Sequence, residues 1–176
     1  MEANNKMTDK VGQFVFMLHS HLPFYRKAGM WPFGEENLYE CMAETYVPLL
    51  NMISELYDEG IKAKLTVGIT PILAEQLNDE HLKQGFIDYL DTRIKAVSKD
   101  LERYPDPNVA HSQHLKYLAK YYYDWFNRIK DLFINKFNKD LISGFKKFQD
   151  LECIEITTSG ATHGFSPLLA TDTNLN

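Results

Sequence analysis

Gln13-Phe14-Val15-Phe16-Met17-Leu18 runs without a break into His19-Ser20-His21-Leu22-Pro23. A short, nearly continuous apolar run that stops on polar residues predicts a strand covered on both faces. Two further runs share this form. Ala63–Ile69 (AKLTVGI) stops at Thr70-Pro71, and Cys153–Thr158 (CIEITT) stops at Ser159-Gly160-Ala161-Thr162-His163.

The intervening segments carry helical spacing. Phe86, Leu90, Ile94, Val97 and Leu101 form one stripe, and Leu118, Tyr122, Trp125, Ile129 and Leu132, continuing from Leu115, form another. A third helix is expected over Glu40–Glu59, with Leu49, Ile53 and Leu56 on one side and Pro48 marking a kink or a start. The stretch Tyr104-Pro105-Asp106-Pro107-Asn108 breaks the second helix from the next. Strand–helix–strand–helices–strand implies an α/β fold of parallel β/α units, with strand order 1-2-3 and right-handed crossovers. Three strands are too few for a closed barrel or a doubly wound sheet. The expectation is therefore an incomplete barrel over residues 13–176, preceded by a frayed polar terminus over 1–12. Such a barrel would expose Ile154 and Ile156 and leave the third strand open to self-association.

The chain of 176 residues is 44% hydrophobic and 13% aromatic, enough to bury a core. Nineteen Lys and Arg stand against 24 Asp and Glu, a net charge of −5 with no basic stripe, so nucleic acid is not an expected partner. No apolar run approaches the roughly 20 residues that a membrane helix needs. Val11–Leu18 has no small-residue cleavage site after it and does not read as a signal peptide. Cys41 and Cys153 are the only cysteines, which suggests buried thiols in a cytoplasmic protein.

In parallel β/α folds, chemistry collects at the carboxyl ends of the strands. His19 and His21 lie there, two residues apart and so on one side of the strand. Three readings stay open for the pair: hydrogen bonding to sugar hydroxyls, the start of a zinc site, or two ordinary histidines. Gly29-Met30-Trp31-Pro32-Phe33-Gly34-Glu35-Glu36 is a loop opening into a helix. Trp31 could stack on a sugar ring or lie as a lid over the core, and Phe33 reads as packing. Glu35 and Glu36, at a helix start, read as caps before catalytic carboxylates. Gly160 and Gly164 bracket His163, which would point into the same mouth as His19 and His21. His81, His111 and His114 are expected to be solvated.

HSHLPF, GMWPFGEE, LYECMAETYVPLL, VGITPILAEQL and TSGATHGFSPLL, in this order, resemble glycoside hydrolase family 57. The likeness runs from about Phe14 to Leu169 and is strongest to α-1,4-glucan branching enzymes. It implies a barrel of seven β/α units, an α-glucan partner and no cofactor. His21 with Pro23 matches the family's His-x-Pro signature, and His19 matches the histidine two residues earlier. Trp31 matches an aromatic near the glucan site, and His163 falls in the second signature, so all four are expected substrate-binding residues. The resemblance puts the nucleophilic Glu and the acid/base Asp, the two carboxyls that a retaining transfer needs roughly 5–5.5 Å apart, beyond residue 176. The 176-residue chain is thus expected to be inactive alone. An α-amylase, a 4-α-glucanotransferase, a non-catalytic glucan-binding remnant and a metal-dependent hydrolase remain alternatives.

Overall fold

A computed structural model describes residues 12–104 and 106–168. The expected frayed terminus, apart from Gly12, lies outside them. Three strands form one parallel sheet in the order β1-β2-β3, with β1 at Met17–Ser20, β2 at Leu65–Ile69 and β3 at Ile154–Thr157. Order and direction agree with the expectation from the strand–helix alternation. The strands are shorter than their apolar runs, and β1 starts later, so that His19 lies inside it.

Pairing sets two faces. Leu65, Val67, Ile69, Ile154 and Ile156 face the helices, with Val67 at 1% exposure and Ile154 at 5%. Thr66, Gly68, Glu155, Thr157 and His19 line the other side. This arrangement corrects two expectations. β1 is not covered on both faces, because Phe16 and Met17 are about half exposed. Ile154 and Ile156 are not stripped of cover, because the helix immediately before β3 packs Phe145 and Phe148 into the core beside them. That helix also caps an edge amide: Gln149 Oε1 accepts from Ile156 N–H at 3.1 Å.

The helices follow from the stripes, with informative shifts. A helical run from Glu35 to Asp58 has three parts: α1 (Glu35–Cys41), a π-turn (Met42–Tyr46) and α2 (Val47–Asp58). Pro48 has no N–H to give and its ring would crowd the carbonyl of Glu44, so a wider turn precedes it. α3 (Pro71–Asn78) begins directly after β2, and α4 (Glu80–Arg103) follows with Asp79 as its cap, accepting from Leu82 N–H. α4 pairs with α5 (Ser112–Asp131), and a second π-turn (Leu132–Lys136) leads to α6 (Leu141–Asp150). On α5 the buried apolar positions are Ala119 and Ile129, followed by Phe133, whereas Leu118 and Tyr122 are exposed. Its first half has mainly α4 as a neighbour, which narrows the buried stripe. Leu50, Leu73, Phe86, Phe133 and Phe145 meet at the centre of the core.

Gly85 on α4 allows Tyr39 of α1 to lie against the helix. A Cβ there would fall 2.0 Å from the Tyr39 hydroxyl oxygen, which is itself held by Glu35. Gly85→Ala should gain about 1 kcal/mol of helix propensity and lose about 1–3 kcal/mol to overpacking. The expected outcome is a lowered denaturant midpoint, and a raised one would show that Tyr39 yields without cost.

Candidate functional site at the carboxyl edge of the sheet

His19 pairs in register with Gly68, and Gly68 with Thr157, so one row crosses all three strands on the open face. Gly68 is what brings the first strand's imidazole close. A Cβ at that position would lie 3.2 Å from His19 Nδ1. Beyond this row only Ser20 and Ile69 still pair, and the segments that leave the strands supply the remaining groups. His163 stacks at a tilt between the other two histidines, with ring centroids 4.7 Å from His19 and 4.7 Å from His21. The three expected binding histidines are thus together at one edge.

Each ring is oriented locally. Nδ1 of His21 lies 3.2 Å from Thr70 Oγ1, and Nδ1 of His163 lies 3.0 Å from Ser159 Oγ. His163 takes a left-handed backbone with φ 58°, and its N–H donates to Gly160 O at 2.9 Å. Ile72 N–H, in the first turn of α3, donates to Ala161 O at 3.2 Å and ties this turn to the end of β2. A cleft of about 230 Å³ is lined by His19, Gly68, Thr70, Thr157, Ser159 and His163. Thr70 and Ser159 mark strand ends in the sequence but were not among the expected binding residues. Their only signal was position, directly after a strand and next to a helix start or turn.

Burial lowers the His21 pKa first, and the neighbouring His163 and His19 lower it further, because each would place a like charge beside it. A neutral imidazole retains both a donor and an acceptor for hydroxyl groups. The rings partly stack instead of aiming lone pairs at one point. Among the described residues no group of three His, Cys, Asp or Glu is arranged to hold a metal ion.

Trp31 does not join this cluster by ring contact. It is 78% exposed, and among the described residues no ring pairs with it. Phe33, expected to pack, is 82% exposed instead. The short closed loop that carries both leaves their side chains no core to enter. Glu35 and Glu36 are more than caps. The Glu35 carboxylate is buried and accepts from Lys27 N–H at 2.7 Å and Tyr39 Oη–H at 2.9 Å, with His81 Nε2 at 2.9 Å. Glu36 pairs with Arg93. His81, expected to be solvated, is half exposed and engaged in this way. Burial would raise the Glu35 pKa, but the Lys27 amide and then His81 and Tyr39 hold it below the usual carboxylate value.

The His21 shift has a definite sign. Its folded-state pKa lies below the unfolded value of about 6.5, so the folded form binds fewer protons as pH falls through that value. The contribution of His21 to stability is present above about pH 6.5 and is lost below it, down through the folded pKa. In an NMR titration the His21 ring should have its midpoint below the usual histidine value, and His163→Ala should raise that midpoint. A midpoint unmoved by His163→Ala would remove the inter-ring contribution.

The sequence profile of glycosyl hydrolase family 57 matches residues 15–176. A 1,4-alpha-glucan branching enzyme of Thermococcus kodakarensis is 40% identical over 161 residues, covering 92% of this chain and 22% of its own length. The chain therefore spans about a fifth of that relative. The crystal structure of a branching enzyme of this family from Pyrococcus horikoshii superposes with a TM-score of 0.84 at 37% identity, over 92% of this chain and 29% of that one. The alpha-amylase AmyC of Thermotoga maritima gives 0.75 at 32% identity, over 88% of this chain and 28% of that one. Matched by this family's profile over residues 15–176 and, over 92% of its length, by a relative 40% identical to it, the chain belongs to glycosyl hydrolase family 57.

Proposed function

We propose that this chain forms the substrate-holding part of an α-1,4-glucan branching enzyme, with His19, His21, His163 and Trp31 as glucan-binding residues. The observation that carries the reading is the convergence of three imidazoles at the carboxyl edge of a parallel sheet. Imidazoles beside hydroxyl-bearing Thr70 and Ser159 suit a neutral, hydroxyl-rich ligand, and an exposed indole suits the apolar face of a sugar. In the reaction proposed for the complete enzyme, an α-1,4 bond is cleaved and the glycosyl group is held on a Glu. It then passes to a 6-hydroxyl, as in glycogen biosynthesis. Residues 1–176 contribute orientation, which lowers the barrier by fixing the sugar before chemistry. They contribute neither carboxylate of the pair. Glu155 lies on the open face but one row behind the histidines, 3.4 Å from Thr66 Oγ1.

A second reading, α-amylase, has the Thermotoga maritima structure in its favour. The two share substrate and nucleophile chemistry and differ in acceptor, so the products separate them. We place the enzyme in the cytoplasm, in keeping with two free cysteines and no helix among the described residues long and apolar enough to cross a membrane. Self-association is part of the proposal. β1 and β3 each have one strand partner among the described residues, and Phe14, Val15, Phe16 and Met17 are exposed along the first edge.

Two measurements test this reading. Incubated with amylose, the 176-residue chain should form no new α-1,6 linkages and no reducing ends. It should nonetheless bind maltoheptaose, with His21→Ala or His163→Ala weakening the affinity by about tenfold, or roughly 1.4 kcal/mol. Turnover by this chain would overturn the division of labour, and absence of binding would overturn the site. Light scattering after size-exclusion chromatography should show species larger than a monomer, and a clean monomer would remove the self-association proposal.

A further inference from the structure

The segment leaving β1 is read, contact by contact, by the segment leaving β2. His21 meets Thr70 at the start of α3. Six residues beyond Thr70, the Gln76 side chain, only 1% exposed, closes on the backbone at two points. Its Oε1 accepts from Tyr25 N–H at 2.7 Å, and its Nε2 donates to Pro23 O at 2.9 Å. Asp79 then pairs with Arg26 at 2.7 Å. His81, on the first turn of α4, faces Glu35, whose carboxylate takes the Lys27 amide. The sequence from Thr70 to His81 thus fixes the sequence from His21 to Glu35, a strand-like template made of side chains.

The far end of that segment is the loop with Trp31 at its tip. Its base is closed by Glu35 N–H donating to Gly29 O at 2.8 Å and Glu36 N–H to Met30 O at 3.2 Å. Gly34 is required there, since a Cβ would lie 2.0 Å from Gly29 O. The tip has no core to rest on. Trp31 and Phe33 are both more than three-quarters exposed. Whatever sets the place of Trp31 must therefore act through the base.

We propose that Glu35 and Gln76 are positioning residues that hold the Trp31 loop in register with His21, so that indole and imidazole meet one glucan chain together. The inference rests on the glucan-binding reading for its ligand, but not for its mechanics. Glu35 has two jobs that its chemistry suits. It accepts an amide from a residue with φ 61°, Lys27, and it bridges α1 to α4 through His81 while accepting from Tyr39 of its own helix. Gln76 does what a neighbouring strand would do, offering one donor and one acceptor to a backbone that has none beside it.

The test uses the 176-residue chain with Trp125→Phe, which leaves Trp31 as the single indole. Acrylamide quenching of Trp31, amide exchange at Tyr25 and Lys27, and maltoheptaose affinity are measured on the same samples. In Glu35→Ala, quenching and Lys27 exchange should rise and affinity should fall by about tenfold. Glu35→Gln retains an acceptor for the Lys27 amide and should restore affinity to within about twofold. A folded Glu35→Ala protein with quenching and affinity unchanged overturns the proposal, as does a Glu35→Gln protein as impaired as Glu35→Ala. If Glu35→Ala fails to fold, His81→Ala, on a half-exposed side chain, loosens the same carboxylate. It should raise Trp31 quenching, and unchanged quenching there overturns the proposal. If the parent protein binds no maltoheptaose, the glucan reading fails, while quenching and amide exchange still decide for or against the clamp.

Discussion

The arrangement depends on β2 being paired in parallel on both sides. Parallel neighbours cannot be joined by a tight turn, so each junction must travel through helices from the carboxyl end of one strand back to the amino end of the next. The outgoing segments of all three strands are consequently delivered to one end of the sheet. Residues distant in sequence, such as His21 and Thr70 or His19 and His163, meet there without any local instruction. β2 sits at the centre and contributes its least bulky residue, Gly68, to the row that carries His19. A larger side chain in the middle strand would meet the imidazole that the site uses.

Apart from Thr70, which lies against His21, the buried polar side chains make no hydrogen bond to the edge imidazoles among the described residues. Gln76, Glu35 and Thr70 are among the buried polar residues, and Glu35 and Gln76 spend their hydrogen bonds on holding backbone. Among the described residues, no buried side-chain nitrogen or oxygen lacks a hydrogen-bond partner. An unsatisfied amide or carboxylate in such a place would cost a few kcal/mol, so each partner matters to the shape of the edge. The imidazoles, by contrast, are left with capacity for a ligand.

Much of the fold was legible because its signals are local. Apolar runs ending on polar residues marked the strands, and the three–four spacing marked α4 and α5. The histidines of the edge could be assembled by topology alone, since parallel strands send their carboxyl ends the same way. What escaped was non-local. Ile154 and Ile156 looked stripped because nothing in CIEITT announces that Phe145 and Phe148 fold back over it. Phe33 looked like a packing residue because hydrophobicity does not say that Gly29 and Gly34 pinch the loop shut beneath it. Glu35 looked like a helix cap because its partners, Lys27 N–H and His81, come from a loop and from another helix. The start of β1 was misplaced because Phe14 and Val15 have the composition of a strand, and only pairing with β2 decides where the ladder begins.

The π-turn at Met42–Tyr46 amounts to one residue more than a regular helix would hold between α1 and α2. A residue turns an α-helix by about 100°. An extra residue in a regular helix would swing everything before it by that angle. The π-turn takes up the residue within its own five, so the face of α1 that carries Glu35 and Tyr39 stays close to the bearing a regular helix would give it relative to α2. A single-codon deletion in this turn would therefore be milder than one elsewhere in α1 or α2, because the run can close into a regular helix without carrying Glu35 away from the loop it holds.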